Sequence, residues 1–157
     1  RSSDLVAFLT GCNLSVDQVM LDAEIPLPHL VSEGALASQY ISNIACEPAG
    51  IFAGPMVVSL PPIPAPLVVK VIEIASRYPQ CPGAPVHVGD PATIGIDNLD
   101  HVDWGAPNPV GPDQVPVFWA CGVTAQAVAR AIEIPEMITH APGHLFVTDR
   151  AVLDPVK

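Results

Sequence analysis

Positive charge is what this chain has least of. Six Lys and Arg stand against sixteen Asp and Glu in 157 residues, a formal net charge of −10, with a pI near 4.5. Binding to nucleic acid or to an anionic membrane draws on Lys and Arg, so this balance argues against both as partners. A small anionic molecule stays compatible, because one arginine or a few bare amide groups can hold it locally. Cysteine is scarce too: Cys12, Cys46, Cys81 and Cys121 lie far apart and form no C-x-x-C pair. That excludes a disulfide-dense secreted scaffold and points to reduced thiols, in the cytoplasm or alternatively the mitochondrial matrix. No apolar run reaches membrane-spanning length, since prolines interrupt residues 55–74, and no signal-peptide pattern opens the sequence. A phosphate loop, a dinucleotide fingerprint and the Gly-x-Ser-x-Gly elbow of a hydrolase are also missing.

What is present is apolar. Half of the residues are hydrophobic and the mean hydropathy is +0.42, enough for one substantial core. Charged residues make up only 14%, which leaves room for association with a second copy or with a further N-terminal segment. With no repeat, linker or composition break, residues 1–157 read as a single α/β region.

The organising stretch is Val115–Ile132, VPVFWACGVTAQAVARAI. Its β-branched and aromatic opening predicts a buried strand, Ala120-Cys121-Gly122 a sharp turn, and the residues from Thr124 a helix with Thr124 as N-cap. A helix start carries unpaired amides and partial positive charge, which would favour an anion and stabilise a thiolate at Cys121. Upstream, helices are expected over Asp4–Leu9, ended by Gly11, and from a Ser15–Gln18 capping box to Ala23. Strands are expected at Tyr40–Ile44, Met56–Leu60 and Pro85–Val88, with a helix from Pro64 or Pro66 to Arg77. A turn at Gly89-Asp90-Pro91 and one helical turn at Ala92–Ile96 precede a long acidic surface excursion, Asp97–Asp113. Two strand-like runs then flank Ala141-Pro142-Gly143-His144, whose Pro-Gly centre suits a type II turn. Alternating strands and helices of this kind predict an α/β fold with a mixed β-sheet and flanking helices.

Several residues can carry chemistry. His87 with Asp90 at a strand end can serve as base and orienting carboxylate; the bland reading is a turn-capping Asp beside a satisfied His. His140 and His144 can offer acid–base groups or two nitrogen ligands for a divalent metal, although Pro142 rules out the helical spacing of the familiar zinc motif and no third ligand is near. Cys121 can act as a nucleophile or be an inert buried thiol. Gly122, Val123 and Thr124 can bind a carboxylate through their amides, and Arg150 through its guanidinium.

Six strings stand in order along the chain: Gly11-Cys12, NIACEPAGIFAGPMVVS, PPIP, GAPVHVGDPATIGI, VPVFWACGVTAQAV and THAPGHLFVTD. Together they resemble the hydro-lyase family that includes the D-glutamate cyclases, over nearly the whole chain. The resemblance implies a fold of that family's own type, a chain corresponding to the C-terminal part of longer members, and loss of water from a small carboxylic or amino acid, as in closure of D-glutamate to 5-oxo-D-proline. No cofactor is expected, with a divalent metal as the open alternative. Pro61 departs from the pattern, standing where the family carries an arginine, and Glu47, Ile51 and Ala53 stand where basic residues are common. A non-catalytic carboxylate-binding domain and a Cys121-dependent hydrolase or transferase are the alternatives.

Overall fold

The computed structural model describes residues 5–27, 37–141, 144 and 146–149. In chain order the regular elements are α1 (Asp17–Asp22), β1 (Ser38–Ala45), β2 (Pro55–Leu60), β3 (Pro62–Pro64), α2 (Val68–Ser76), β4 (His87–Val88), β5 (Gln114–Ala120) and α3 (Val123–Ala131). Short 3-10 turns at Asn13–Val16, Ala65–Leu67 and Pro91–Ile94 lead into or link them. The expected α/β class is present, and each described strand pairing is antiparallel. None of the described helices is long and apolar enough to cross a membrane.

β5 is the middle of the sheet. Along one edge β2 and β3 pair with it in a single unbroken register, Val58 opposite Ala120 and Ser59 opposite Trp119, then Pro62 opposite Pro116 and Ile63 opposite Val115. On the other edge His87 lies opposite Phe118 and Val88 opposite Val117. β1 continues the sheet outward by pairing with β2. The prolines obey this register. The Ala65 amide donates to the Asp113 carbonyl and the Cys121 amide to the Val57 carbonyl, so odd-numbered residues on this edge carry the ladder bonds. Pro62, Pro64 and Pro116 are even-numbered, where this edge needs no ladder donor, although on the other edge Pro116 accepts from the Gly89 amide and has no N–H to return. Pro61 is odd and has no N–H to give to β5. There the pairing is interrupted, and β2 ends where β3 begins.

Both faces of β5 are covered, which is why its sequence is a continuous apolar run and not an alternating one. Val117 and Trp119 point into a cluster with Met20, Ile25, Ile63 and Val71, roofed by α1 and α2. Phe118 points the other way, into a cluster with Tyr40, Val58, Leu60, Ile94 and Ile96. The 97–113 excursion is therefore more than surface. Leu99, Val102 and Val110 pack on this second cluster, and the Tyr40 hydroxyl donates to the Leu99 carbonyl at 2.7 Å.

Local readings fared unevenly. No helix forms over residues 5–12, and Phe8 and Leu9 are exposed. α1 begins without the expected capping box; the Gln18 side chain donates instead to Asp22, one turn on. Residues 136–141 and 146–149 are not strands. Pro142 and Gly143 lie outside the described residues, yet the His144 amide donates to the Ala141 carbonyl at 3.0 Å, the bond a four-residue turn would make.

Truncating Phe118 to Ala should cost about 3–5 kcal/mol of unfolding free energy, whereas Val69→Ala, at a position 67% exposed, should change it by less than about 0.5 kcal/mol. Denaturant titration of both variants checks the contrast.

Candidate functional site

The corner after β5 is fixed by Thr124. Its hydroxyl lies 2.7 Å from the Cys121 carbonyl and 3.2 Å from the Val57 carbonyl, and accepts the Val57 amide at 3.0 Å. Thr124 is thus a bolt between α3 and β2 and not an N-cap; the cap position is Gly122, which has no side chain to cap with. The Thr124 amide donates to the Cys121 carbonyl, and the Val123 amide is directed at the Cys121 thiol. Of the three amides expected to hold an anion, Gly122's has no bond among the described residues.

The segment 10–12 crosses this corner, which the sequence did not foretell. A methyl on Gly122 would sit 3.1 Å from the Thr10 hydroxyl and 3.9 Å from the Gly11 carbonyl. On its far side, a methyl on Gly11 would overlap the Gln80 carbonyl oxygen and stand 3.3 Å from the Cys81 Cα. Two glycines therefore let three chain segments meet, and each brings a cysteine: Cys12, Cys81 and Cys121. Buried Asn13 and Ser59 lie beside them, the Ser59 hydroxyl donating to Asn13 Oδ1 at 3.3 Å. Cys12 and Cys121 are half-buried and Cys81 is buried. All three thiols are free.

Burial governs their chemistry. It pushes the Cys121 thiol up from its ordinary value, against the opposing Val123 amide. Burial does the same to Cys12, against the Leu14 amide, with Cys121, Asp17 and Cys81 adding to the rise. Cys81 is raised by burial and partly relieved by the Ser15 hydroxyl. The expected thiolate at Cys121 is overturned: desolvation outweighs the donors at the helix start, and the protonated form is favoured.

His87 stands elsewhere. Its ring packs on Phe118 with centroids 5.7 Å apart, on the face of β5 opposite to Trp119 and Cys121. Its Nε2 lies 2.9 Å from the Asp90 main-chain carbonyl and 3.1 Å from the Thr93 hydroxyl. The Asp90 carboxylate accepts from the Ala92 amide at 3.0 Å instead. So the pair are neighbours, but the carboxylate caps the turn and does not orient the imidazole. His140 and His144 are exposed. The Gln126 side chain ties the His140 carbonyl to α3 at 3.1 Å, and His140 Nδ1 lies 2.8 Å from the Ala141 carbonyl. Arg150 lies outside the described residues. Among the described residues no three His, Cys, Asp or Glu side chains are placed to hold a metal ion.

Sequence reasoning missed Cys81, Asn13 and Ser59 and gave Cys12 no role. Only the Gly11-Cys12 pairing, a small residue beside a thiol, marked the segment. Because the folded thiols ionise later than unfolded ones, their contribution to stability is present below the ordinary thiol value of 9.0 and lost as pH rises beyond it. Denaturant unfolding followed across that range should show stability falling, with a smaller fall in Cys121→Ser.

A family model described as D-glutamate cyclase matches residues 6–149. A protein of Thermoanaerobacter sp. strain X514 named "Putative hydro-lyase" is 52% identical over 146 residues, covering 93% of this chain and 55% of its own. One of the same name from Rhodopseudomonas palustris strain TIE-1 is 50% identical, with 93% and 53% covered. One from Bacillus pumilus strain SAFR-032 is 47% identical over 147 residues, with 94% and 56% covered. The chain spans about half the length of the curated relatives it matches. It belongs to the D-glutamate cyclase family.

Proposed function

We propose that this protein removes water from a small carboxylic or amino acid, with D-glutamate closing to 5-oxo-D-proline as the leading case. The observation that carries the reading is the family match over residues 6–149, which includes every segment that meets at the Cys121 corner. In the closure the substrate amine attacks its own side-chain carboxyl carbon. A C–N bond forms, an N–H proton is lost, a C–O bond breaks, and the departing hydroxyl takes up a proton to leave as water. One group must accept a proton and another must give one. The half-buried Gly122 corner is where the substrate carboxylate binds, through the uncommitted amide.

Geometry bears on the residues. His87 is held by Asp90 and Thr93 on the other face of the sheet, so it stays outside the machinery. Cys121 as a covalent nucleophile is disfavoured, since burial keeps its proton on and no basic side chain contributes to its ionisation. Four free thiols suit a reducing compartment such as the cytoplasm. A second reading, a carboxylate-binding domain without turnover, draws on Pro61: it is buried and replaces with a ring a position where the resemblance places a cation.

Incubation of the full chain with D-glutamate, followed by chiral chromatography and mass spectrometry, should show 5-oxo-D-proline, and none from L-glutamate. Calorimetric binding of the acid without product would establish the second reading in its place. His87→Ala should retain turnover within a few-fold of the parent. A loss of two orders of magnitude or more, the scale of a missing acid or base, would return the base role to that imidazole.

A further inference from the structure

A cleft of about 420 Å³ opens between α1 and α2, and none of the residues of the Gly122 corner lines it. It has room for a small molecule. Its floor is apolar and half-buried, made by Val19 and Ala23 on the α1 side and Ile74 and Tyr78 on the α2 side. Ala23, Ile74 and Tyr78 rest on the buried cluster that holds Met20 and Val71, which fixes the floor in place. The rim is charged and exposed, with Asp22 and Glu73 set against Lys70 and Arg77. Two of these four are already engaged. Lys70 Nζ donates to the Ala23 carbonyl at 2.6 Å, and the Asp22 carboxylate accepts from Gln18 Nε2 at 2.8 Å. The side chains of Glu73 and Arg77 have no hydrogen bond or ion pair among the described residues. Their spacing, an acid four residues before a base along α2 and its C-cap, is the one at which such pairs close on each other. Here they stay apart, and both line the cleft. The rim therefore presents one uncommitted carboxylate and one uncommitted guanidinium over an apolar floor.

We propose that this cleft binds a free α-amino acid as its zwitterion. Arg77 takes the carboxylate, for which a planar guanidinium offers two parallel donors. Glu73, one helical turn away, takes the ammonium. The apolar part of the ligand lies on Val19, Ala23 and Ile74, so the bound molecule bridges α1 to α2. Other classes of ligand leave a group of the rim opposed or unmet. A phosphate held by Arg77 would face the like charges of Glu73 and Asp22, and a simple cation held by Glu73 would face Arg77 and Lys70. A quaternary ammonium has no N–H to give to Glu73. A primary ammonium and a carboxylate on one small molecule satisfy both free groups at once. The site lies apart from the Gly122 corner, and none of its residues is given a part in the dehydration.

The probe is L-alanine, which has no side-chain carboxyl to close upon and so is no substrate for the dehydration. Isothermal titration of the full chain should show saturable binding of L-alanine. N-acetyl-L-alanine, without the ammonium, and L-alaninamide, without the carboxylate, should each bind about tenfold or more weakly. Arg77→Gln and Glu73→Gln, both at exposed positions, should each weaken L-alanine by about the same factor. Asp22→Asn, at a group already held by Gln18, should leave it within about twofold. Far-ultraviolet circular dichroism of each variant, matching the parent, excludes misfolding as the cause. Absence of saturable binding overturns the proposal. So does affinity unchanged in Arg77→Gln or in Glu73→Gln, which would put the amino acid elsewhere, the Gly122 corner included. A loss in Asp22→Asn as large as that in Glu73→Gln overturns the assignment of the ammonium to Glu73. Turnover of D-glutamate enters none of these outcomes, so failure of the dehydration reading leaves the cleft site standing, and failure of the cleft site leaves that reading untouched.

Discussion

Everything in this protein leans on the two-sided burial of β5. Its buried middle, Val117–Trp119, is packed on both faces, so each backbone N–H and C=O there needs a partner and each side chain must be apolar. The first demand sets which positions tolerate proline, and the second sets the sequence VPVFWA. With Val117 and Phe118 fully buried, the end of the strand has no freedom to wander. The corner that follows it is consequently rigid, and Thr124 fastens it further by bonding to Val57 on the neighbouring strand.

Crowding at that corner has a chemical effect. Small residues crowd there because three pieces of backbone must pass within van der Waals distance, and glycine is the residue that permits it. The same closeness removes water from the cysteines that accompany the glycines. Removal of water disfavours a charged sulfur more than the Leu14 and Val123 amides favour it at Cys12 and Cys121, so these thiols hold their protons. Packing and reactivity are here one fact seen from two sides.

How much of this was legible in the sequence depended on range. β5, β1, β2 and α2 were readable because their signals are local: β-branched runs for the strands, and proline at the first turn followed by an apolar face for the helix. Thr124 was misassigned because a hydroxyl next to a helix start can bond either the helix or a neighbouring strand, and only the partner strand decides. The apolar residues of 5–9 suggested a helix by spacing, but Leu5, Val6, Phe8 and Leu9 are exposed and no helix forms there. The family was readable from six ordered strings. What the sequence hid was parity and crossing. Whether His87 shares a face with Cys121 depends on which edge of β5 takes β4, and the meeting of Cys12 with Cys121 depends on contacts over a hundred residues long.

Pro61 also marks the sheet itself. By withholding one donor it leaves the Val117 carbonyl without its ladder partner from β3's side, so the sheet contains a seam at the level where α1 and α2 press on it. On the β2 side of that seam lies the thiol corner; on the β3 side lies the support of α2. The two halves of that edge therefore keep one register without an unbroken row of bonds, so a single imino acid parts the sheet without shifting it.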